Sequence, residues 1–204
     1  SSAQQSLGAS TSNKCIVTPT RGLFGYYGQV GTEKINDGTS NTIMISETVK
    51  CSKQDWEDPQ RGRAVLGYDN VPPLNCMATY DAATRRLTSA PSSGDNRRGM
   101  RWADGRDTTT GFVTASPPNT PVCTGADDNQ RWGLTPPSSY HPGGVNSCFA
   151  DGSVKFISDT IDAGDPSVQA IINHGPSSGW TTGESPYGLW GALGSRNGRE
   201  PRSL

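Results

Sequence analysis

A histidine, a cysteine and an aspartate lie close together in this chain, at His141, Cys148 and Asp151. A thiol, an imidazole base and an orienting carboxylate can form a nucleophilic catalytic system, provided that they converge in space. The segment that contains them, residues 139–156, also has the composition of a β-hairpin. These side chains therefore belong either to a catalytic cluster or to a structural one.

The dipeptide Asp151-Gly152 separates two β-prone runs, which is the strongest short-range signal for a hairpin. With these two residues as the turn, Phe149 faces Val154 in a favoured aromatic–β-branched pair. The other expected pairs are Ala150–Ser153, Cys148–Lys155 and Ser147–Phe156. Turn geometry accounts for Asp151, and a role as ligand or catalytic carboxylate is the alternative.

His141 precedes Pro142-Gly143-Gly144 and is expected in an irregular segment that leads into the hairpin. Turn anchoring, ligand contact and catalysis are the roles open to it. The other histidine, His174, fits the last turn of a helix predicted over residues 165–175. The chain has neither an H-E-x-x-H zinc motif nor a phosphate-binding loop. We therefore expect a protein without enzymatic activity.

Two acidic stretches offer carboxylate oxygens of the kind that calcium prefers, Asp127-Asp128-Asn129 and Asp104-Gly105-Arg106-Asp107. Neither matches a dedicated calcium loop, so we expect solvated turns, with calcium as the alternative. No other cofactor and no metal site is predicted.

The elements that must position these residues are those of one loop-rich domain. Apolar residues make up 31% of the 204 positions, and 25 glycines and 15 prolines argue against long helices. Strands are predicted over residues 42–49, 63–68, 101–102 and 111–114, and a turn over 35–41. We expect an α+β, β-rich fold with a small antiparallel sheet, long loops and one or two short helices.

Charge and hydropathy exclude several classes of partner. The net charge of −1 provides no basic surface for nucleic acid. No apolar run reaches the roughly 18–20 residues of a membrane span. The chain opens with the polar stretch 1–6, which is typical of a fragment of a longer protein.

The five cysteines are widely spaced, at Cys15, Cys51, Cys76, Cys123 and Cys148, which does not match a structural zinc site. Two disulfides with one remaining thiol, or five thiols, are the alternatives. The low apolar content favours disulfides, because a modest core gains from covalent links, and disulfides in turn favour an exported protein.

His141 followed by nine residues and Asp151-Gly152 resembles the signature of the prepilin-type, processing-associated "His, nine residues, Asp-Gly" family. That family is also catalogued as a bacterial solute-binding domain of unknown function. Four further stretches agree in order: 35–43 with Glu47, 98–102, 154–158 and 185–194. The signature positions are His141, Gly143, Gly144, Asp151, Gly152, Asp37, Gly38, Asn41 and Glu47.

The resemblance implies a precursor with a prepilin leader and a hydrophobic helix, which would lie before Ser1 and provide the membrane contact. Residues 1–21 would then form a polar N-terminal segment and residues 22–204 a single pseudopilin-like globular head. No enzymatic activity carries over from the family, and the expected location is extracellular or at the cell surface.

Two functions remain for such a head. The first is a structural subunit of a pseudopilus, pilus-like fibre or cell-surface assembly, which contacts further copies of itself or other pilin-like subunits. The alternative is an extracellular module that binds a small solute or a glycan, because exposed aromatic rings can stack on sugars. Binding or interface positions are then possible among the aromatic residues Trp56, Trp102, Trp132, Trp180, Tyr187 and Trp190; for the last three, core packing is expected and an interface is the alternative.

Overall fold

The computed structural model of the chain describes residues 21–24, 30–51, 58, 64–66, 72–84, 86–88, 98–105, 109–125, 133–169, 183–200 and 204. These residues form eight short strands and two short helices. The strands are β1 (Ile43–Ser46), β2 (Ala64–Val65), β3 (Tyr80–Asp81), β4 (Arg86–Leu87), β5 (Cys123–Thr124), β6 (Gly133–Leu134), β7 (Gly144–Phe149) and β8 (Val154–Ser158); the helices are α1 (Pro73–Met77) and α2 (Gly188–Leu193). The predicted α+β, β-rich class with short helices is confirmed.

The main sheet is antiparallel and has the strand order β1-β7-β8. A bulge lies between Ile43 and Ile45, because Ile43 pairs with Phe149 whereas Ile45 pairs with Cys148. The extra residue in β1 leaves Ile43 buried and turns Ile45 outward. The strand predicted over residues 42–49 therefore forms in its first half, over Ile43–Ser46.

The predicted hairpin exists between β7 and β8, but the predicted register is wrong by one residue. Cys148 pairs with Val154 and Ser147 with Lys155, and the Phe149 amide donates to the Ser153 carbonyl at 2.8 Å. The loop thus contains three residues rather than two. Gly152 has a φ of +85° and its amide donates to the Phe149 carbonyl, which is the geometry of a turn followed by a glycine bulge. Phe149 and Val154 consequently lie on opposite faces of the sheet.

A second sheet combines β2, β5 and β6, with a parallel pairing between β2 and β5 and an antiparallel one between β5 and β6. A disulfide joins Cys76 of α1 to Cys123 of β5 and spans 47 residues. Cys51 is buried, Cys148 is a half-buried thiol, and Cys15 lies outside the described residues. The sequence prediction that disulfides stabilise this fold is confirmed for this one bond.

The core of the main sheet lies on the face that α2 covers. Trp190 of α2 is fully buried, and its indole N–H donates to the Ser116 carbonyl at 2.7 Å. The residues packed with it are Ile43, Val145, Phe149, Ile157 and Leu193. A second cluster surrounds the disulfide and includes Ala64, Leu87, Ala115, Leu134 and Tyr187.

Three secondary-structure predictions, one helix and two strands, are wrong in the part of the chain that the structure describes. Residues 165–169 form a turn instead of a helix, because Ser167 donates from both its amide and its hydroxyl to the Asp165 carboxylate. Residues 170–175 of that prediction, with His174, lie outside the described residues. Residues 101–102 and 111–114 form turns and irregular backbone rather than strands. Neither described helix has the length and apolar character of a membrane span.

Candidate functional site

Glu47 and His141, two of the signature residues, meet at the end of β1. The His141 Nε2 atom lies 3.1 Å from Glu47 Oε1. Glu47 Oε2 accepts the backbone amide of Asn146 at 2.8 Å, and Oε1 also accepts the Asn146 side-chain amide at 3.3 Å. One carboxylate thus joins the end of β1, the segment before β7 and β7 itself. Asn146 was not predicted from the sequence as a site residue.

The Glu47 carboxylate is held in its ionised form. Partial burial pushes its pKa upward, but the hydrogen bonds from Asn146 and His141 and the His141 charge outweigh that effect and keep the pKa below its ordinary value. An ionised carboxylate only accepts hydrogen bonds, so the contact requires a hydrogen on Nε2 of His141, which donates a hydrogen bond to Glu47.

The structure does not bring His141, Cys148 and Asp151 together. His141 lies before β7 and Asp151 after it, and β7 separates them by roughly 17 Å. The hydroxyl of Ser139, two residues before His141, donates to the Gly144 carbonyl at 2.6 Å and accepts the His141 amide. In the described part of the chain, the Glu47 carboxylate and the His141 ring connect the segment before β7 to β7 itself.

Asp37, Gly38 and Asn41 serve a second junction, which holds the C-terminal segment 195–200. The Asp37 carboxylate accepts the backbone amides of Gly198 and Arg199 at 2.6 and 2.8 Å. Asn41 donates its side-chain amide to the Asp37 carbonyl at 3.1 Å. Asp37 therefore connects sequence positions 161 and 162 residues apart, a contact that no local pattern indicates, and Asn41 supports the turn that carries it.

The remaining signature residues also have structural roles. Asp151 accepts the amide and the hydroxyl of Ser153, and these hydrogen bonds lower its pKa. A side chain on Gly144 would collide with the Ile157 carbonyl and would place its Cβ 2.8 Å from two ring atoms of Phe156. The turn prediction for Asp151-Gly152 is confirmed, although the loop is one residue longer than predicted.

The side of the main sheet that faces away from α2 is apolar and exposed. We call this surface, formed by Ile45, Cys148, Val154 and Phe156, the outer face. Ile45 is 56% exposed, Val154 64% and Phe156 52%. Cys148 lies between Ile45 and Val154 in register. Alternation along the strands predicts polar residues at such positions, so a group of exposed apolar side chains distinguishes this face.

The aromatic residues considered as binding positions differ in their exposure. Tyr187 and Trp190 are buried, which agrees with the core packing expected for these two rings and not with the alternative of an interface. Burial also raises the pKa of Tyr187, whose hydroxyl donates to the Val168 carbonyl. Trp102 is 87% exposed in a turn. Trp56, Trp132 and Trp180 lie outside the described residues.

Of the two acidic stretches considered for calcium, the structure describes only residues 104 and 105. The backbone carbonyl of Asp104 accepts the hydroxyls of Thr109 and Thr110. Within the described ranges, no group of three or more histidine, cysteine, aspartate and glutamate side chains is placed to hold a metal ion.

Comparison with known proteins provides one match. Residues 3–164 match the family described as "Protein of unknown function (DUF1559)", whose short name denotes a bacterial solute-binding protein. The matched range contains the whole main sheet and both Glu47 and His141. No curated protein and no solved structure matches the chain.

Proposed function

Because this chain belongs to the family described as "Protein of unknown function (DUF1559)", and because its main sheet leaves one face uncovered, we propose that it is a non-enzymatic, exported binding subunit that acts through protein–protein contacts. The observation that supports this proposal is the outer face, where three apolar side chains are each more than half exposed. Covering such surface with a partner removes it from water, at a gain of roughly 25 cal/mol per Å².

Export is supported by the Cys76–Cys123 disulfide, since such bonds persist in oxidising compartments. A pseudopilus, a pilus-like fibre or another cell-surface assembly is the setting that we propose for this subunit. Its contacts would be with further copies of the chain or with other pilin-like subunits. These finer assignments rest on the sequence resemblance.

Replacement of Val154 and Phe156 by threonine and serine should weaken self-association. Val154→Thr replaces one methyl group by a hydroxyl, and Phe156→Ser removes one aromatic ring. Both side chains are exposed, so the packing of the core is unchanged. We expect the dissociation constant to rise at least about tenfold, which corresponds to the loss of one partly buried apolar side chain. Sedimentation velocity over a wide concentration range measures this change.

Leu74→Ser is the matched control, because Leu74 is an exposed apolar residue on α1, away from the outer face. It should associate like the unchanged chain. The proposal is wrong for self-assembly if the unchanged protein stays monomeric at high concentration both with and without its natural N-terminal region.

A second candidate function is favoured by Trp102. An indole that is 87% exposed beside Arg101 can stack on a sugar ring, which agrees with the short name of the family. If the chain binds a glycan, tryptophan fluorescence should change on titration with that glycan, and Trp102→Ala should abolish the change. A flat response of the unchanged protein to a broad glycan panel would rule against this candidate.

A further inference from the structure

At the end of β1, side chains take over the hydrogen bonds that its backbone would otherwise form with β7. After Ser46 the chain leaves β7, and the two backbone groups of Asn146 are then satisfied by side chains: the Glu47 carboxylate accepts its amide and the Ser46 hydroxyl donates to its carbonyl. The Glu47 carbonyl in turn accepts the Ser138 amide at 3.0 Å. Glu47 therefore forms hydrogen bonds with β7 through its side chain and with Ser138, three residues before His141, through its backbone carbonyl.

The segment 139–144, which carries His141, ends against the outer face. Ser139 donates its hydroxyl to the Gly144 carbonyl, and Gly144 leaves no room for a Cβ beneath the ring of Phe156. A change in the position of this segment would thus be transmitted to Phe156. Tyr140, next to His141, is also exposed.

We propose that the contact between Glu47, His141 and Asn146 is an acid-sensitive latch that holds segment 139–144 in place and thereby sets the shape of the outer face. The regulatory part of this inference rests on the proposed function, since it assumes that the outer face binds a partner. The latch itself depends only on contacts within the chain.

The direction of the pH effect follows from the carboxylate. When ionised, Glu47 accepts three hydrogen bonds, two from Asn146 and one from His141. Protonation weakens all three and removes the attraction between the carboxylate and the imidazole. The pKa of Glu47 is lowered in the folded chain, so the latch is fully closed above the ordinary glutamate value of 4.5 and opens as the pH falls below it. His141 is the one ionisable group of the described residues that contributes to this lowering.

Amide hydrogen exchange and the amide chemical shift of Asn146, followed by NMR between pH 6 and pH 2.5, test the latch on the isolated chain. After correction for the intrinsic pH dependence of exchange, we expect the Asn146 amide to exchange about tenfold faster once Glu47 is protonated, because it loses its hydrogen bond to a charged group. Glu47→Gln should exchange at the faster rate throughout, without a step.

Two further variants keep this test decisive. Asp151→Asn removes another carboxylate of lowered pKa at the far end of β7 and should behave like the unchanged protein. His141→Gln should move the step to higher pH, because His141 helps to lower the pKa of Glu47. Absence of a step in the unchanged chain, or the same step in Glu47→Gln, would overturn the latch. A latch that opens in a chain that binds no partner would instead contradict the proposed function.

Discussion

Replacement of Trp190 by alanine is expected to lower the free energy of unfolding by about 4 kcal/mol, within the range for a large buried aromatic residue. Among the described residues, Trp190 is the largest fully buried side chain, and it packs against the face of the main sheet that α2 covers. Its removal leaves a cavity beneath Val145 and Phe149 and deprives the Ser116 carbonyl of its donor. Because small domains are stable by only about 5–15 kcal/mol, this loss is about a quarter to four-fifths of the total stability.

Urea denaturation followed by far-ultraviolet circular dichroism measures this loss, since the signal does not depend on the indole that is removed. Trp190→Phe is the matched variant: it retains most of the ring but not the N–H, and should cost about 1–2 kcal/mol. A loss below 1 kcal/mol in the alanine variant would show that Trp190 does not occupy the core described here.

Removal of the Cys76–Cys123 disulfide is the second large effect that we expect. The bond closes a loop of 47 residues, and loop-closure entropy for this length corresponds to about 4 kcal/mol of stabilisation through the unfolded chain. The double variant Cys76→Ala/Cys123→Ala should therefore lose stability by roughly that amount in urea denaturation. Both cysteines are buried in the second core cluster, so the packing there contributes to the loss as well.

Cys148→Ala is the control for this experiment, because Cys148 is half-buried on the outer face and is a thiol in the structure. It should change the free energy of unfolding by less than about 0.5 kcal/mol, as surface substitutions usually do. An intact mass before and after alkylation counts the oxidised cysteines in each protein. A double variant as stable as the unchanged chain would contradict the structural role of the bond.

The hairpin shows how far local sequence signals reach. Asp151-Gly152 predicts the position of the turn, because its conformational preference is local. The register depends on whether Ala150 joins the loop, and that is decided by contacts with a distant segment: the Ala150 amide donates to Thr42 and the Asp151 amide to Thr39. No sequence pattern indicates these long-range hydrogen bonds, so the strand partner of Phe149 could not be predicted.

The helices show that local sequence signals can also mislead: one predicted helix start forms a turn, and α2 was not predicted. Asp165-Pro166 has the residues of a helix start, but the same residues form a side-chain-stabilised turn, and the local signal cannot distinguish the two. The helix that does form, α2, contains Gly188 and Gly191, which indicate a loop by propensity. Burial of Trp190 against the sheet compensates for that weak propensity, so tertiary packing determines this element.

The candidate site was only partly accessible from the sequence. Glu47 and His141 belong to the family signature, but their contact joins positions 94 residues apart and its partner Asn146 carries no recognisable signal. The outer face could not be predicted because the bulge in β1 and the one-residue slip of the hairpin decide which side chains face outward. The three residues of the apparent catalytic cluster lie apart in the structure: His141 contacts Glu47, Cys148 lies on the outer face, and Asp151 stabilises the hairpin turn.

Position-specific photo-crosslinking in the natural producing cells tests whether the outer face binds a protein partner. A photo-reactive amino acid replaces Phe156 in one variant and Leu74, an exposed apolar residue of α1, in the other. The proposal that the outer face binds a partner predicts a crosslinked adduct from position 156 and little or none from position 74. Mass spectrometry should identify the adduct as a second copy of the chain or as a cell-envelope protein. No adduct from position 156, or equal yields from the two positions, would contradict it.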